Sequence, residues 1–316
     1  MFFRLLFAVF SLLMAVMPEQ VLSQDNKITR RILLPSTSKC TPGNWLLRDS
    51  LIQDTSVCRI YYQCRFVTDT LRPEKNATVM VCDIGPNYLS YFSLAMRFSN
   101  TVFTKVQAEA DRKGRYLSIQ YPYTEQERAL KKFAGDVGSI NSEIWIDRRH
   151  RTLTERASDY ANENMAYEYE EPLPVLDWDI SEEHRQIGSY DCIKAVCRFR
   201  GREWTAWFTP EIPFSHGPWK LGGLPGLILQ AEDSQKHYAW ECCGLDQTAR
   251  PMACYIIPTR HVTRRRFNTW MLRFHHFPYE VIDGGMGRTL IQIFTAQGLR
   301  DLDDSWTLPY NPIERE

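Results

Sequence analysis

Tyr190–Phe208, YDCIKAVCRFRGREWTAWF, holds two runs of aromatic and β-branched residues, Tyr190–Phe199 and Glu203–Phe208, on either side of Arg200, Gly201 and Arg202. A glycine-bearing reversal between two such runs reads as a tight β-hairpin. The same pattern recurs downstream, where Leu227–Ala231 and His237–Cys243 flank Asp233–Lys236, and a further reversal through Asp246–Pro251 leads into Met252–Ile257. Upstream, Val57–Thr68 and Thr78–Ile84 enclose the turn-forming residues Arg72–Asn76. Successive hairpins build a meander, so the expected fold is mainly β (α+β). It is an antiparallel meander sheet, either a curved open sheet or a half-barrel, with two or three helices packed on it.

Three segments carry helical signals. Phe98, Val102, Phe103 and Val106 recur at three- and four-residue spacing within Leu89–Arg112. Thr124 followed by Glu127 has the capping-box pattern and predicts a short helix over Glu125–Phe133. Thr263–His276 predicts a last helix, with Phe267, Trp270 and Met271 beside Arg264, Arg265, Arg266 and Arg273. Arg148–Glu171 is dense in charge and poor in branched apolar residues, which predicts an excursion over the surface.

The N-terminus sets the expected compartment. Arg4, an apolar run from Leu5 to Met17 and a permissive stretch ending at Ser23 form the three parts of a secretory signal peptide over residues 1–23. An uncleaved anchor is the other reading, but the run is shorter than the roughly 20 apolar residues a spanning helix needs. Residues 24–41 are polar and unpatterned, a flexible lead-in, and residues 42–316 are expected to form one β-rich domain. Lys plus Arg (38) balances Asp plus Glu (38), so no global field favours nucleic acid or a membrane surface, and no second apolar run is long enough to span a bilayer, so an integral membrane protein is not expected. The Arg260–Arg273 cluster is accordingly read as a solvated helix face rather than a phosphate-binding one. The expected location is periplasm, cell surface or the extracellular space.

In such a compartment the nine cysteines are read first as disulfide formers. A turn centred on Pro73 sets Cys64 opposite Cys82, and facing strand positions lie near the separation a disulfide needs. A turn between Thr248 and Ala249 sets Cys243 opposite Cys254, with Cys242 as a competing partner. The adjacent pairs Cys242, Cys243 and His275, His276 also raise copper or zinc binding, although strand neighbours point to opposite faces. No metal ligand set and no cofactor is assigned.

The densest run of special residues is Trp207–Leu229, in which Pro210, Pro213, Pro218 and Pro225 alternate with Gly217, Gly222, Gly223 and Gly226. Such a connection between two strands has fixed dihedrals rather than slack. Trp207, Glu211, His216, Trp219 and Lys220 are the candidate binding residues on it. Glu211 and His216 could act as general acid and base if both faced one cleft, but no nucleophile or orienting group accompanies them. No zinc-protease, serine-elbow or phosphate-loop motif is present, so no catalytic residue is assigned.

The strings TPEIPFSHGPWKLGGLPGLIL (Thr209–Leu229), YDCIKAVCRFRGREWTAWF (from Tyr190), CDIGPNYLSYFS (from Cys82) and LPYNPIE (from Leu308) resemble the GLPGLI family of exported Bacteroidota proteins. The resemblance implies residence in a diderm envelope and no particular chemistry; against the family's usual pattern Cys197, Cys242 and Cys243 are extra. The expected role is a non-catalytic envelope protein that binds an apolar ligand such as a lipid, a peptide or an outer-membrane protein. The rivals are a metal-binding protein and an enzyme using Glu211 and His216.

Overall fold

The strand Cys58–Val67 shows how the sheet is made. Cys58, Ile60, Tyr62, Cys64 and Phe66 alternate with Gln63 and Arg65, and the first set is at most 2% exposed. A period of two with one face buried is what a sheet packed on a core requires. The computed structural model describes residues 50–71, 73, 75–98, 101–102, 123–135, 142–158, 166–255, 258–277, 292–295, 298–301 and 310–315. The expected signal segment, the lead-in and Cys40 lie outside them.

Among these residues the strands in chain order are β1 (Ser50–Ser56), β2 (Cys58–Val67), β3 (Lys75–Ile84), β4 (Tyr88–Ser93), β5 (Ser142–Asp147), β6 (Thr152–Ser158), β7 (Ala166–Pro172) and β8 (Asp179–Ile187). They continue as β9 (Tyr190–Phe199), β10 (Arg202–Thr209), β11 (Leu227–Asp233), β12 (Tyr238–Asp246), β13 (Arg250–Tyr255), β14 (Thr259–His261), β15 (Gln292–Thr295) and β16 (Gly298–Asp301). Two helices are labelled, α1 (Glu125–Ala134) and α2 (Arg264–His276); residues 94–98 are also helical.

Twelve strands form one open sheet in the order β14-β7-β6-β5-β4-β3-β2-β12-β11-β10-β9-β8. It is antiparallel except for β14 on β7. Two sequential meanders, β2 to β7 and β8 to β12, meet where β12 pairs with β2. Ile144, Ile146 and Leu153 from one side share a single core cluster with Cys192, Ala195 and Trp204 from the other, so the sheet curves around that core.

The hairpin of β9 and β10 turns through Arg200 and Gly201, both at positive φ (53° and 72°), as a two-residue connection that continues strand twist demands. On the outer face, Leu130, Phe133 and Ala134 of α1 pack against Tyr61, Val79, Val81 and Phe92. The Thr124–Glu127 capping box is formed in both directions. Helix α2 starts at the N-cap Thr263 and sets Phe267 and Met271 against Ala157 and Tyr169.

Four expectations are corrected. Leu89–Ser93 belongs to strand β4 and the helix begins five residues later, at Leu94, because Leu89 and Tyr91 follow the two-residue period of a buried strand. Arg148–Glu171 is no surface excursion over its described part, since it supplies β6 and most of β7. Strand β13 does not return beside β12 but pairs with β1, while β12 takes β2 as its second neighbour.

The cysteine pairings change with the registers. Val67 faces Lys75, so the β2–β3 reversal lies around Leu71 rather than Pro73; Cys64 therefore faces Thr78, and Cys82 faces Ile60. Cys254 faces Leu51, and Cys243 sits in the bulge where β12 crosses β2. None of the eight described cysteines, Cys64, Cys82, Cys243 and Cys254 among them, is bridged by a disulfide.

Candidate functional site

The loop between β10 and β11 is folded back on itself. His216 bridges Gly222; the Ile212 carbonyl accepts from Leu227 N at 3.1 Å, and the His216 carbonyl from Ile228 N at 3.0 Å. Ser215 Oγ donates to the Leu224 carbonyl at 2.6 Å, and Trp178 Nε1 donates to the Gly222 carbonyl at 2.8 Å. A Cβ on Gly226 would stand 2.1 Å from the Thr209 carbonyl oxygen, so only glycine lets the loop close onto β10.

At the loop's base Trp219 adopts φ 55°, a left-handed conformation that costs a bulky residue about 1–2 kcal/mol. Burial offsets it. The indole is 4% exposed and packs 5.5 Å from both Phe199 and Trp204, measured between ring centroids.

The bend at Trp219 delivers Lys220 inward. Its side chain has no exposure, and Nζ lies 2.6 Å from Glu155 Oε2, 2.5 Å from Glu314 Oε1 and 2.5 Å from the Tyr169 hydroxyl. Tyr169 in turn donates to Glu155 Oε2 at 2.6 Å. Glu314 Oε2 accepts from Arg264 Nη1 at 2.8 Å, and Glu171 accepts from Arg200 Nη2 at 2.7 and 2.8 Å. Burial by itself would lower the Lys220 pKa, but the charges of Glu155 and Glu314 outweigh it and hold the pKa above the ordinary value. Burial would raise Glu314, yet Lys220, Arg264 and Arg200 hold its carboxyl below the usual range. Both groups are therefore ionised at neutral pH.

A cavity of about 260 Å³ lies beside this cluster, between the inner face of the sheet, α2 and the segment 310–315. Tyr91, Trp219, Tyr238 and Trp240 form its sheet side, Phe267 and Met271 its helix side, and Glu155 and Glu314 its polar end. Arg202 clamps the closing segment: its guanidinium donates to Asn311 Oδ1 at 3.0 Å, the Pro312 carbonyl at 2.6 Å and the Ile313 carbonyl at 2.8 Å, and pairs with buried Asp233 at 2.7 Å. His275 of α2 stacks on Tyr310 at 4.0 Å; burial leaves both ring nitrogens without a hydrogen-bond partner and, with His276 nearby, pushes its pKa down to about 4.

The five residues singled out on the loop are dispersed. Trp219 lines the cavity and Lys220 anchors its polar end. Trp207 lies on the other face of β10, half-buried, under the Arg185 guanidinium at 4.1 Å. The exposed Glu211 carboxylate accepts from the Asp191 amide at 3.0 Å, and half-buried His216 is pushed down to about 4 by burial and by Arg148. Glu155, Tyr169, Tyr238, Trp240 and Glu314 escaped the sequence reading, because only the registers of β6, β7 and β12 and the return of the C-terminal segment bring them together. Among the described residues, no three His, Cys, Asp or Glu side chains are placed to hold a metal ion.

Residues 200–230, which span the turn, β10 and the whole pinned loop, match the model of a Bacteroidota-associated family described as "Protein of unknown function (Porph_ging)". Two crystal forms of PNGF-II are similar in part, at TM-scores of 0.42 and 0.43 and 13% identity over 70% of this chain. The chain spans about a third of the length of those structures, 34% and 33%. A comparison with curated proteins finds no match. No described helix is long and apolar enough to cross a membrane.

Proposed function

We propose that this is an exported, non-catalytic binding protein that takes a small apolar molecule, or one apolar side chain of a peptide, into the cavity between the curved sheet and α2. The observation that carries the reading is the cavity itself, about 260 Å³, with Tyr91, Trp219, Tyr238, Trp240, Phe267 and Tyr310 among its lining residues. Apolar cavities of roughly 150 Å³ already take benzene, whereas drug-sized ligands occupy roughly 300–1,000 Å³. The size therefore favours a compact ligand over a whole lipid. The signal segment and the resemblance to exported proteins support the compartment.

Saturation-transfer NMR with toluene and 2-methylnaphthalene on the chain from residue 24 onward tests the reading. Transfer is expected with the wild type and is expected to vanish in Met271→Trp, which fills the cavity from α2. Absence of transfer in the wild type refutes it.

A further inference from the structure

The polar end of the cavity narrows the ligand class; the inference rests on the cavity being a ligand site. Glu155 is 8% exposed and lines the cavity, yet both of its contacts, from Lys220 Nζ and the Tyr169 hydroxyl, fall on Oε2. No hydrogen bond from a described residue falls on Oε1, and it is not one of the sealed atoms without a partner, so it is an accessible acceptor on a residue that lines the cavity. The two oxygens of Glu314 are both engaged, Oε1 by Lys220 and Oε2 by Arg264.

Charge decides the next step. Aromatic walls around a carboxylate would suit a cation. Here, however, the carboxylates Glu155, Glu171 and Glu314 are matched by Lys220, Arg200 and Arg264, and Arg315 adds a further positive charge to the lining. A cationic ligand would find no uncompensated negative charge to repay its desolvation, and an anionic one would meet the carboxylates. The lining points the same way: Tyr91, Trp219, Tyr238, Trp240, Phe267 and Tyr310 border the space, which suits an aromatic partner.

We infer that the cavity binds an uncharged, planar aromatic molecule of about two fused rings bearing one N–H or O–H group, which donates to Glu155 Oε1. The ligand rings lie against Trp219, Trp240 and Tyr238, and the donor end lies toward Glu155.

Calorimetric titration with a matched series tests this: 2-naphthol, 2-methylnaphthalene, 2-naphthylmethylammonium and 2-naphthoate. 2-Naphthol is expected to bind at least about tenfold more tightly than 2-methylnaphthalene, which lacks the donor, and both ions more weakly than 2-naphthol. In Glu155→Gln the preference for naphthol over methylnaphthalene is expected to shrink several-fold; should that variant not fold, the wild-type series decides alone. Equal binding of naphthol and methylnaphthalene overturns the donor inference while leaving the apolar cavity reading intact. Tighter binding of either ion overturns the charge argument. Binding of none of the four refutes the cavity reading itself.

Discussion

The pinned loop Thr209–Leu227 and the strand pair β6–β7 are opposites in composition. The loop is proline, glycine and aromatic residues with few charges, while β6 and β7 alternate Glu155, Arg156, Glu168, Glu170 and Glu171 with Leu153, Ala157, Tyr167 and Tyr169. Yet each is incomplete without the other. The loop spends backbone strain at Trp219 to bury one cation, and the strands bury the carboxylate and the phenol that receive it. A charge-dense stretch can therefore be interior when its charges are neutralised by a partner distant in sequence, and an apolar loop can be organised around one lysine.

The sharpest way to break that pairing is to remove the lysine. Lys220→Met leaves Glu155 and Glu314 buried beside an apolar side chain, and a loss of about 3–5 kcal/mol is expected in urea denaturation. Adding Glu155→Gln to Lys220→Met should recover part of it, whereas two independent, additive losses would show that loop and strands are not coupled.

Trp219→Ala and Trp207→Ala compare the loop's inner and outer rings. The first is expected to cost about 3–5 kcal/mol and to abolish 2-methylnaphthalene binding, since it empties a site packed between Phe199 and Trp204. The second, on the far face, is expected to cost at most about 1 kcal/mol and to leave that binding unchanged. Equal effects would mean that the loop presents its outer face to the ligand.

Acid separates the histidines from the carboxylates. His216 and His275 are pushed down to about 4, by burial first and then by Arg148 and His276 respectively, from an unfolded value of 6.5. In the unfolded chain they take up protons below pH 6.5 while the folded chain does not. Stability is thus level above pH 6.5 and falls between about 6.5 and 4, by on the order of 3 kcal/mol per histidine. Glu314, held below the usual range, contributes stability above its unfolded value of 4.5 that is lost only as pH falls through its lower folded value. Urea midpoints measured from pH 8 to 4 should show the histidine loss first, and His275→Phe should remove roughly half of it. A profile flat down to pH 5 would contradict the burial of these rings.

Gly226→Ala probes the loop alone. The added Cβ meets the Thr209 carbonyl, and roughly 2–3 kcal/mol is the expected cost by the same denaturation assay. The smallest effect is expected from Cys254→Ser, within about 1 kcal/mol, because the thiol is unbridged and serine keeps an acceptor for Arg156 at 3.1 Å. A loss of 2–4 kcal/mol would be the size of a missing disulfide and would reopen that pairing.

Much of the fold was legible. The hairpins β9–β10 and β11–β12, the capping box at Thr124 and helix α2 follow from local periodicity and turn chemistry, which are properties of a few adjacent residues. The misreadings have two causes. Tyr88–Ser93 is buried on both faces and β6 and β7 are rich in charged side chains, so neither shows a plain apolar alternation although each pairs with its neighbours in sequence; a cross-strand cysteine pair depends on register, which shifts with the position of the turn. Of the site, Trp219 and Lys220 stood out because they sit among prolines and glycines; Glu155, Tyr169 and Glu314 carried no local mark.

By itself the amino-acid sequence determined that this chain forms a β-rich fold, where its tightest hairpin turns, and that Gly226 and its neighbours hold a rigid loop. Those outcomes depend on backbone sterics and on apolar alternation along single strands. Only the tertiary structure decided that β12 pairs with β2, that the C-terminal segment returns to Arg202, and that three carboxylates meet three cations at the end of an aromatic cavity. The physical reason is that burying a charge is favourable only once its partner is in place, and these partners come from positions as far apart as 155, 220 and 314.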